Sequence, residues 1–245
     1  MEIAIGNQIG AALVALIFAS VHLLSPRLVF LDRTPRSVWL STAGGVSVAY
    51  VFVHLLPELA EFGELPGEGE TEEGALEVWI YLLALTGLVV FYALERMAQR
   101  HAGHRSATES GAGAFWLHLA GFAIYNFLVG YLLEEQLREE GLGGMLLYAL
   151  ALGLHFVVND RALYAHHGPR YLREGRWLLA VAVLFGFAAS LGYEIPQGWI
   201  AGAFGFLAGS VVLNVIKEEL PEERESRLWA FALGAGLYAA LLILA

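Results

Sequence analysis

The stretch Val53-His54-Leu55-Leu56-Pro57-Glu58-Leu59 closes the second of eight apolar segments of helical length in this chain. A similar stretch, Glu219-Leu220-Pro221-Glu222-Glu223, closes the seventh. Two segments between them carry polar residues at mid-length, in Tyr125-Asn126-Phe127-Leu128-Val129-Gly130 and in His155-Phe156-Val157-Val158-Asn159-Asp160. Polar groups in the middle of a bilayer-spanning helix are costly, so they usually serve a function. The pattern predicts a polytopic membrane protein with a polar site between its helices, as is typical of transporter folds.

The composition places the whole chain in the membrane class. The chain is 58% hydrophobic with a mean hydropathy of +0.60, and 16% of its residues are charged, against about 25% in soluble domains. A spanning helix needs about 20 mainly apolar residues, so we predict one all-α membrane domain over residues 1–245 that has eight transmembrane helices. The predicted helices 1 to 8 are 6–31, 38–60, 76–98, 113–135, 142–166, 176–193, 196–216 and 227–245. The first has neither a basic flank nor a small-residue cleavage site, which predicts a retained helix.

The basic residues predict the orientation, because Lys and Arg accumulate on the cytoplasmic side of a membrane. Of the 14 basic residues, Arg161 lies inside predicted helix 5 and Arg138 lies in the loop between helices 4 and 5. The other twelve fall in or beside the loops that follow helices 1, 3, 5 and 7. These loops are therefore predicted to be cytoplasmic, with both termini extracytoplasmic. The twelve are Arg27, Arg33, Arg36, Arg96, Arg100, Arg105, Arg170, Arg173, Arg176, Lys217, Arg224 and Arg227.

Acidic residues crowd the opposite loops. A negative field at an outward mouth would raise the local concentration of cations. The alternative is a flexible, solvated loop, which is the usual meaning of a charge run. The residues concerned are Glu58, Glu61, Glu64, Glu68, Glu70, Glu72, Glu73 and Glu77 after helix 2, and Glu134, Glu135, Glu139 and Glu140 after helix 4.

Several classes of function find no support in the sequence. The absence of cysteine excludes disulfides, thiolate metal sites and cysteine nucleophiles. No glycine-rich phosphate loop follows a strand, and the basic residues track the membrane side, so nucleotides and nucleic acids are not predicted partners. An intramembrane zinc hydrolase would need three or more convergent ligands and an open water position, and only His118, His155 and Asp160 come into question. We therefore predict that the protein is not an enzyme.

An internal repeat is visible in helices 2 and 7. Ala43-Gly44 precedes Leu56-Pro57-Glu58 by eleven residues, and Ala208-Gly209 precedes Leu220-Pro221-Glu222 by ten. The two helices run in opposite directions in the predicted topology, so the repeat is inverted. Inverted repeats are the usual construction of secondary transporters, whose site lies near the midplane at the repeat interface.

These features resemble the ZIP family of zinc and iron transporters, in which eight helices, extracytoplasmic termini and a His-bearing loop between helices 3 and 4 occur. Here that loop carries His101 and His104. The helix 2 ending 54–58, the helix 3 ending Leu94-Glu95-Arg96 and the helix 7 run 206–222 are similar to family members. The resemblance covers almost the whole chain, and it implies a divalent metal ion such as Zn²⁺ as substrate.

The helix 4 motif departs from the family pattern. Family members carry His-Asn-x-x-Glu/Asp-Gly, and here Asn126 and Gly130 match that frame. The histidine has become Tyr125 and the carboxylate Val129.

The helix 5 motif departs as well. The family has His/Gln-Glu/Asp-x-Pro-His/Glu-Glu/Gly, in which His155 matches. Phe156 replaces an acid, Val158 the proline and Asn159 a ligand, with Asp160 at the last position. In the family these two helices supply the metal site, often a binuclear one.

The resemblance and the helical spacing together give the predicted metal ligands, which are Asn126, His155, Asn159 and Asp160. His155 and Asn159 are four residues apart and share a helical face. A buried divalent ion needs anionic ligands, and Asp160 is the sole carboxylate nearby, with Arg161 beside it. The alternative is a hydrogen-bonded polar cluster that joins helices 4 and 5.

Further polar residues of the chain are candidates for a transport pathway. His118, Asp160 and Arg161 are candidates for an inner gate or proton relay, against a static network of ion pairs. Tyr125 and Glu218 are further pathway candidates, and Glu218 either faces an inner vestibule or is interfacial. His22 and His54 lie near helix ends and are predicted to be ordinary interfacial histidines.

The sequence thus predicts a divergent ZIP-like transporter of divalent metal ions, an integral protein of a prokaryotic plasma membrane that contacts lipid. The alternative is a ZIP-fold protein that has lost transport and acts as a binding or regulatory protein. The oligomeric state stays open, with a homodimer as one form considered, and no resident cofactor is predicted beyond the transported ion.

Overall fold

The computed structural model describes residues 2–28, 37–63, 73–102, 109–193, 195–219 and 227–244, and these residues form helices and short connections without any strand. The predicted all-α class is therefore confirmed. The helices are α1 (Glu2–Leu24), α2 (Val38–Tyr50), α3 (Leu56–Gly63), α4 (Glu73–Ala102), α5 (Glu109–His167), α6 (Arg176–Ser190), α7 (Gln197–Glu219) and α8 (Leu228–Leu244).

Five helical stretches of the described residues are long and apolar enough to cross a membrane. They are Gly6–Leu24, Val38–Phe62, Val78–Met97, Glu140–Ala165 and Gly198–Lys217. The shorter α8 is apolar as well. The helices overlap the predicted ones, and the membrane-embedded character follows from them. Helix α1 ends at Leu24 and not at residue 31 as predicted, and residues 29–31 lie outside the described residues. The crossing of all eight segments stays a prediction.

Helix α5 contains two of the predicted helices, 4 and 5, without a loop between them. Gly141, with φ 67° and ψ −168°, breaks the helix into a first half (109–140) and a second half (142–167). A straight helix would hold Asn126 and Asp160 about 51 Å apart at 1.5 Å per residue. Both side chains nevertheless contact the one imidazole of His22. The two halves must therefore fold back beside each other, and glycine permits the positive φ that this reversal requires.

Three helix pairs approach closely through reciprocal glycines. In the α2–α8 pair, a methyl group added at Gly45 would overlap the Phe231 carbonyl, and one at Gly234 would overlap the Thr42 carbonyl. Small residues at helix contacts are the usual packing device in lipid, where apolar burial adds no driving force between helices. The other reciprocal pairs are Gly87 and Gly209 between α4 and α7, and Gly130 and Gly186 between the first half of α5 and α6.

Two π turns occur among the described helices. The first (Val51–Leu55) joins α2 to α3, and the Leu56 amide donates to the Val51 carbonyl five residues back. Pro57 has no amide hydrogen and its ring crowds the preceding turn, which accounts for the widened turn. The second (Tyr171–Gly175) leads into α6, and Gly175 makes room for the Tyr171 ring, which would overlap an added methyl group.

The tryptophans mark the ends of the apolar surface. All six are at least 45% exposed. Each lies within the first eight residues of its helix, namely Trp39, Trp79, Trp116, Trp177, Trp199 and Trp229. Tryptophan is enriched at membrane–water interfaces, so these positions are typical of interfacial belts around an embedded protein.

Candidate functional site

The centre of the bundle holds a hydrogen-bonded group that joins α1 to both halves of α5. Nδ1 of His22 lies 2.9 Å from Oδ1 of Asp160, and Nε2 lies 2.7 Å from Oδ1 of Asn126. Ser25 Oγ donates to Oδ2 of Asp160 at 2.6 Å. His22, Asn126 and Asp160 are each 1% exposed. We call these four residues the His22 cluster.

The protons of the His22 cluster follow from its geometry. Asn126 donates from Nδ2 to the Phe122 carbonyl at 2.9 Å, so its Oδ1 accepts from Nε2–H of His22. One further proton occupies the bond between Nδ1 and Asp160, whether as an imidazolium–carboxylate pair or as a neutral pair. In either form the pair carries no net charge, which is how a buried carboxylate is tolerated.

The prediction that His22 is an ordinary interfacial histidine is wrong. Its ring is buried and uses both nitrogen atoms across 104 and 138 residues of sequence. The one local signal was the spacing of three residues to Ser25, which places both on one helical face at the end of α1. That spacing is too common to identify partners in α5.

A second group contains the other two predicted ligands. Asn159 donates from Nδ2 to Nε2 of His155 at 2.9 Å, and Nδ1 of His155 has no hydrogen-bond partner among the described residues. The Tyr125 ring lies against His155 with centroids 6.3 Å apart. The Tyr125 hydroxyl is also without a partner there.

Phe156 is in contact with both groups. Its ring lies 4.7 Å from the His22 ring and 5.9 Å from the Tyr125 ring, between centroids. Phe156 and Val129, the residues at the family's acidic positions, are 1% and 3% exposed. Within the described residues, no group of three or more His, Cys, Asp and Glu side chains is placed to hold a metal ion. The four predicted ligands are thus brought into one region but in two separate hydrogen-bonded groups.

The structure describes the surroundings of some of the predicted pathway residues and not of others. Arg161 is 4% exposed and donates to the Ser25 carbonyl at 3.5 Å, so it supports the α1 end of the His22 cluster. The Tyr171 hydroxyl lies near Asp160 without a hydrogen bond of normal geometry. The side chains of His118 and Glu218 lie outside the described residues.

A larger cavity opens beside α3, the break in α5 at Gly141 and the first residues of α7, on the predicted extracytoplasmic side. Its volume is about 440 Å³, and its polar lining includes His54, Glu58, Glu61, Glu135, Gln136 and Glu140. We call this cavity the vestibule. His54 Nε2 lies 3.4 Å from both Oε2 of Glu58 and Oε1 of Glu140. His54 was predicted to be an ordinary interfacial histidine, and the structure instead places it between two carboxylates.

The vestibule brings together part of the acidic residues that follow predicted helices 2 and 4. Four of the glutamates belong to helices around the cavity, namely Glu58, Glu61, Glu135 and Glu140. Residues 64–72 of the first acidic run lie outside the described residues.

A small cavity lies beneath the vestibule. It measures about 20 Å³ and shares Leu132, Tyr148 and Phe204 with the vestibule wall. Tyr125 and Val129 belong to its lining. The two cavities therefore lead from the vestibule glutamates towards the residues beside His155.

No family model matches the chain, and no curated protein is detectably similar to it. The ZIP resemblance therefore rests on the motifs and their order alone.

Proposed function

We propose that this protein is a membrane carrier of divalent cations, and that the vestibule is where the cation is first bound. The observation that carries the proposal is the convergence of Glu58, Glu61, Glu135 and Glu140 with His54 around one cavity. No three of these described side chains are placed to hold a metal ion directly, so they attract the cation by their combined charge. These glutamates come from α3 and from the first half of α5, which are distant in sequence. The ZIP-like motif order supports the same class of function.

The electrostatics of the vestibule favour a cation with more than one charge. Among the described residues, two positive groups stand beside these four carboxylates: His54 when it is protonated, and Arg138, which pairs with Glu135. The four carboxylates still exceed them by two charges. At an effective dielectric constant of about 20, two unit charges 4 Å apart interact by about 4 kcal/mol, and a divalent ion doubles that interaction. The field in a low-dielectric cleft also raises the local cation concentration.

At the inner end of the path from the vestibule, the side chains available to bind a metal ion are uncharged. Nε2 of His155 accepts from Asn159, so the ring proton resides on Nδ1. Metal binding through Nδ1 requires that proton to move to Nε2, so that the ring stays neutral and Nδ1 offers its lone pair. The Asn159 amide must then turn so that its carbonyl accepts from Nε2–H. His155 would thus bind a metal only after a local rearrangement, with Tyr125 as its neighbour.

Asp160 contributes little charge to this path. Its two carboxylate oxygens are bonded to His22 and Ser25. The midplane therefore favours brief, weak binding, as a carrier needs for release.

A second function is favoured by a specific observation. Val129 and Phe156 are buried where the resembling family has carboxylates, and the His22 cluster joins α1 to α5 with its side chains fully bonded. A protein with this interior would bind cations in the vestibule without moving them, which suits a binding or regulatory role.

Uptake into proteoliposomes tests the proposal, with zinc, iron, manganese and cobalt compared. Replacing Glu58 and Glu140 together by glutamine removes two charges beside His54 and should raise the KM for the metal about tenfold, equivalent to about 1.4 kcal/mol. The matched control is Glu174→Gln, because Glu174 pairs with Arg170 away from the vestibule. Uptake should also weaken as ionic strength rises.

Three outcomes separate the two functions. Uptake of a metal that falls in the double variant and not in the control supports the carrier. Metal binding without uptake favours the regulatory role. Uptake that is unaffected by the double variant would contradict the vestibule as the binding mouth.

A further inference from the structure

The small cavity beneath the vestibule is lined in part by tyrosine side chains. Its lining is apolar except for Tyr50, Tyr125 and Tyr148. Tyr125 is 4% exposed, and its hydroxyl has no hydrogen-bond partner in the part of the chain that the structure describes. Buried hydroxyl groups are nearly always paired, with protein or with an ordered water molecule. Since no described protein group bonds to this hydroxyl, an ordered water molecule is the partner that remains.

The size of the cavity limits what that partner is. A water molecule needs a cavity of about 10–15 Å³, and this cavity offers about 20 Å³. That space suits one water molecule and excludes a hydrated metal ion or an organic molecule. A second unpaired polar atom, Nδ1 of His155, belongs to the ring that contacts Tyr125. Two polar groups without partners thus mark the inner end of the path.

We propose that the small cavity binds one water molecule on the Tyr125 hydroxyl and extends the hydrated path from the vestibule to mid-membrane. The two cavities are adjacent, because Leu132, Tyr148 and Phe204 line both of them. In a cation carrier, this water would replace part of the hydration shell as the ion leaves the vestibule. That role rests on the proposed function, whereas the water site itself does not.

X-ray hydroxyl-radical footprinting of the intact protein tests the water site, because radicals formed from bound water modify the side chains next to it. Tyr125 should be modified several times faster than Tyr238. Tyr238 is a matched control, since it is buried, lines neither cavity and donates its hydroxyl to the Leu147 carbonyl. Tyr148, on the shared wall, should be modified as well. Protection of Tyr125 to the level of Tyr238 would overturn the inference.

A plug variant makes the test specific. Ala208 lines the small cavity and is 1% exposed, so Ala208→Val should fill it and protect Tyr125 while leaving Tyr148 modified. Ala201→Val is the control on the same helix, because Ala201 is equally buried and lines neither cavity. Unchanged modification of Tyr125 in Ala208→Val would contradict the site.

Tyr125→Phe provides a measurement that does not depend on radicals. If water bonds to the hydroxyl, its removal should lower the thermal midpoint of unfolding in detergent. In a dry cavity, removal of an unpaired hydroxyl should leave the midpoint equal or higher. If radicals modify Tyr125 but no metal is taken up, the carrier proposal is contradicted and the water site is not. If metal is taken up but Tyr125 is protected from radicals, the water site is contradicted and the carrier proposal is not.

Discussion

The two buried histidines of the interior differ in what their hydrogen bonds leave free. His22 uses both ring nitrogens, towards Asp160 and Asn126. His155 uses one, towards Asn159, and its Nδ1 has no partner within the described residues. A fully bonded buried group stabilises a fold, whereas one with a spare polar atom can accept a ligand. His22 is therefore assigned to structure and His155 to function.

Alanine substitution of each histidine tests this assignment. His22→Ala leaves the buried Asp160 carboxylate and the Asn126 carbonyl without their partner, so it should lower the free energy of unfolding by about 3–5 kcal/mol. His155→Ala removes one neutral contact, worth about 0.6–2 kcal/mol in a membrane interior, and should abolish metal uptake. Reversible unfolding in mixed micelles and proteoliposome uptake give the two readouts.

The predictions for His22 and His155 can be contradicted independently. A His22→Ala protein as stable as the parent would show that Asp160 finds another donor or is protonated in the fold. Full uptake by His155→Ala would place the mid-membrane site elsewhere.

At the scale of the helices, close approach of backbones decides which surfaces meet. The α2–α8 contact depends on Gly45 and Gly234, where the facing carbonyls of Phe231 and Thr42 leave no room for a methyl group. These positions are helical, so the glycines are needed for space and not for an unusual φ. The same arrangement recurs in two other helix pairs, which suggests that each pair acts as a rigid unit.

Two glycines of α8 allow a matched comparison. Gly234→Ala should lower the free energy of unfolding by about 1–3 kcal/mol, the usual effect of overpacking, because the new methyl group meets the Thr42 backbone. Gly236 has no atom within 4 Å of an added methyl group. Gly236→Ala should therefore be neutral or stabilising by about 0.5–1 kcal/mol, since alanine is the better helix former. Equal effects of the two substitutions would contradict the packing of α8 against α2.

The helices could be predicted from the sequence, and the contacts between them could not. Apolar runs of sufficient length determine a membrane helix almost alone, so the predicted positions agree with α1 to α8 to within a few residues at most ends. The His22 cluster depends on how α1 packs against both halves of α5. No local pattern at His22 carries that information. His54 was missed for the same reason, because Glu140 lies 86 residues further along the chain.

At the scale of the whole molecule, charge and aromatic side chains are distributed along one axis. The vestibule glutamates lie at one end of the bundle. At the predicted cytoplasmic side, Lys217 of α7 pairs with Glu95 of α4, and Arg170 pairs with Glu174. Exposed tryptophans near the helix starts mark the expected water boundaries of the apolar belt. In the predicted topology, this distribution places the acidic cavity on the extracytoplasmic side.

The orientation decides which compartment supplies the cation. Twelve of the fourteen basic residues fall in or beside the loops after predicted helices 1, 3, 5 and 7, and basic loops stay cytoplasmic. The vestibule should therefore face outward, and the carrier should work as an importer.

The chain has no cysteine, so single cysteines can be introduced without background. In intact cells, an impermeant thiol reagent should label Glu70→Cys, in the acidic run, and should spare Ser106→Cys, in the loop after predicted helix 3. Labelling of Ser106→Cys should appear only once the membrane is permeabilised, which also proves that this cysteine is reactive. The reverse pattern would turn the vestibule towards the cytoplasm, and the same glutamates would then collect cations for export.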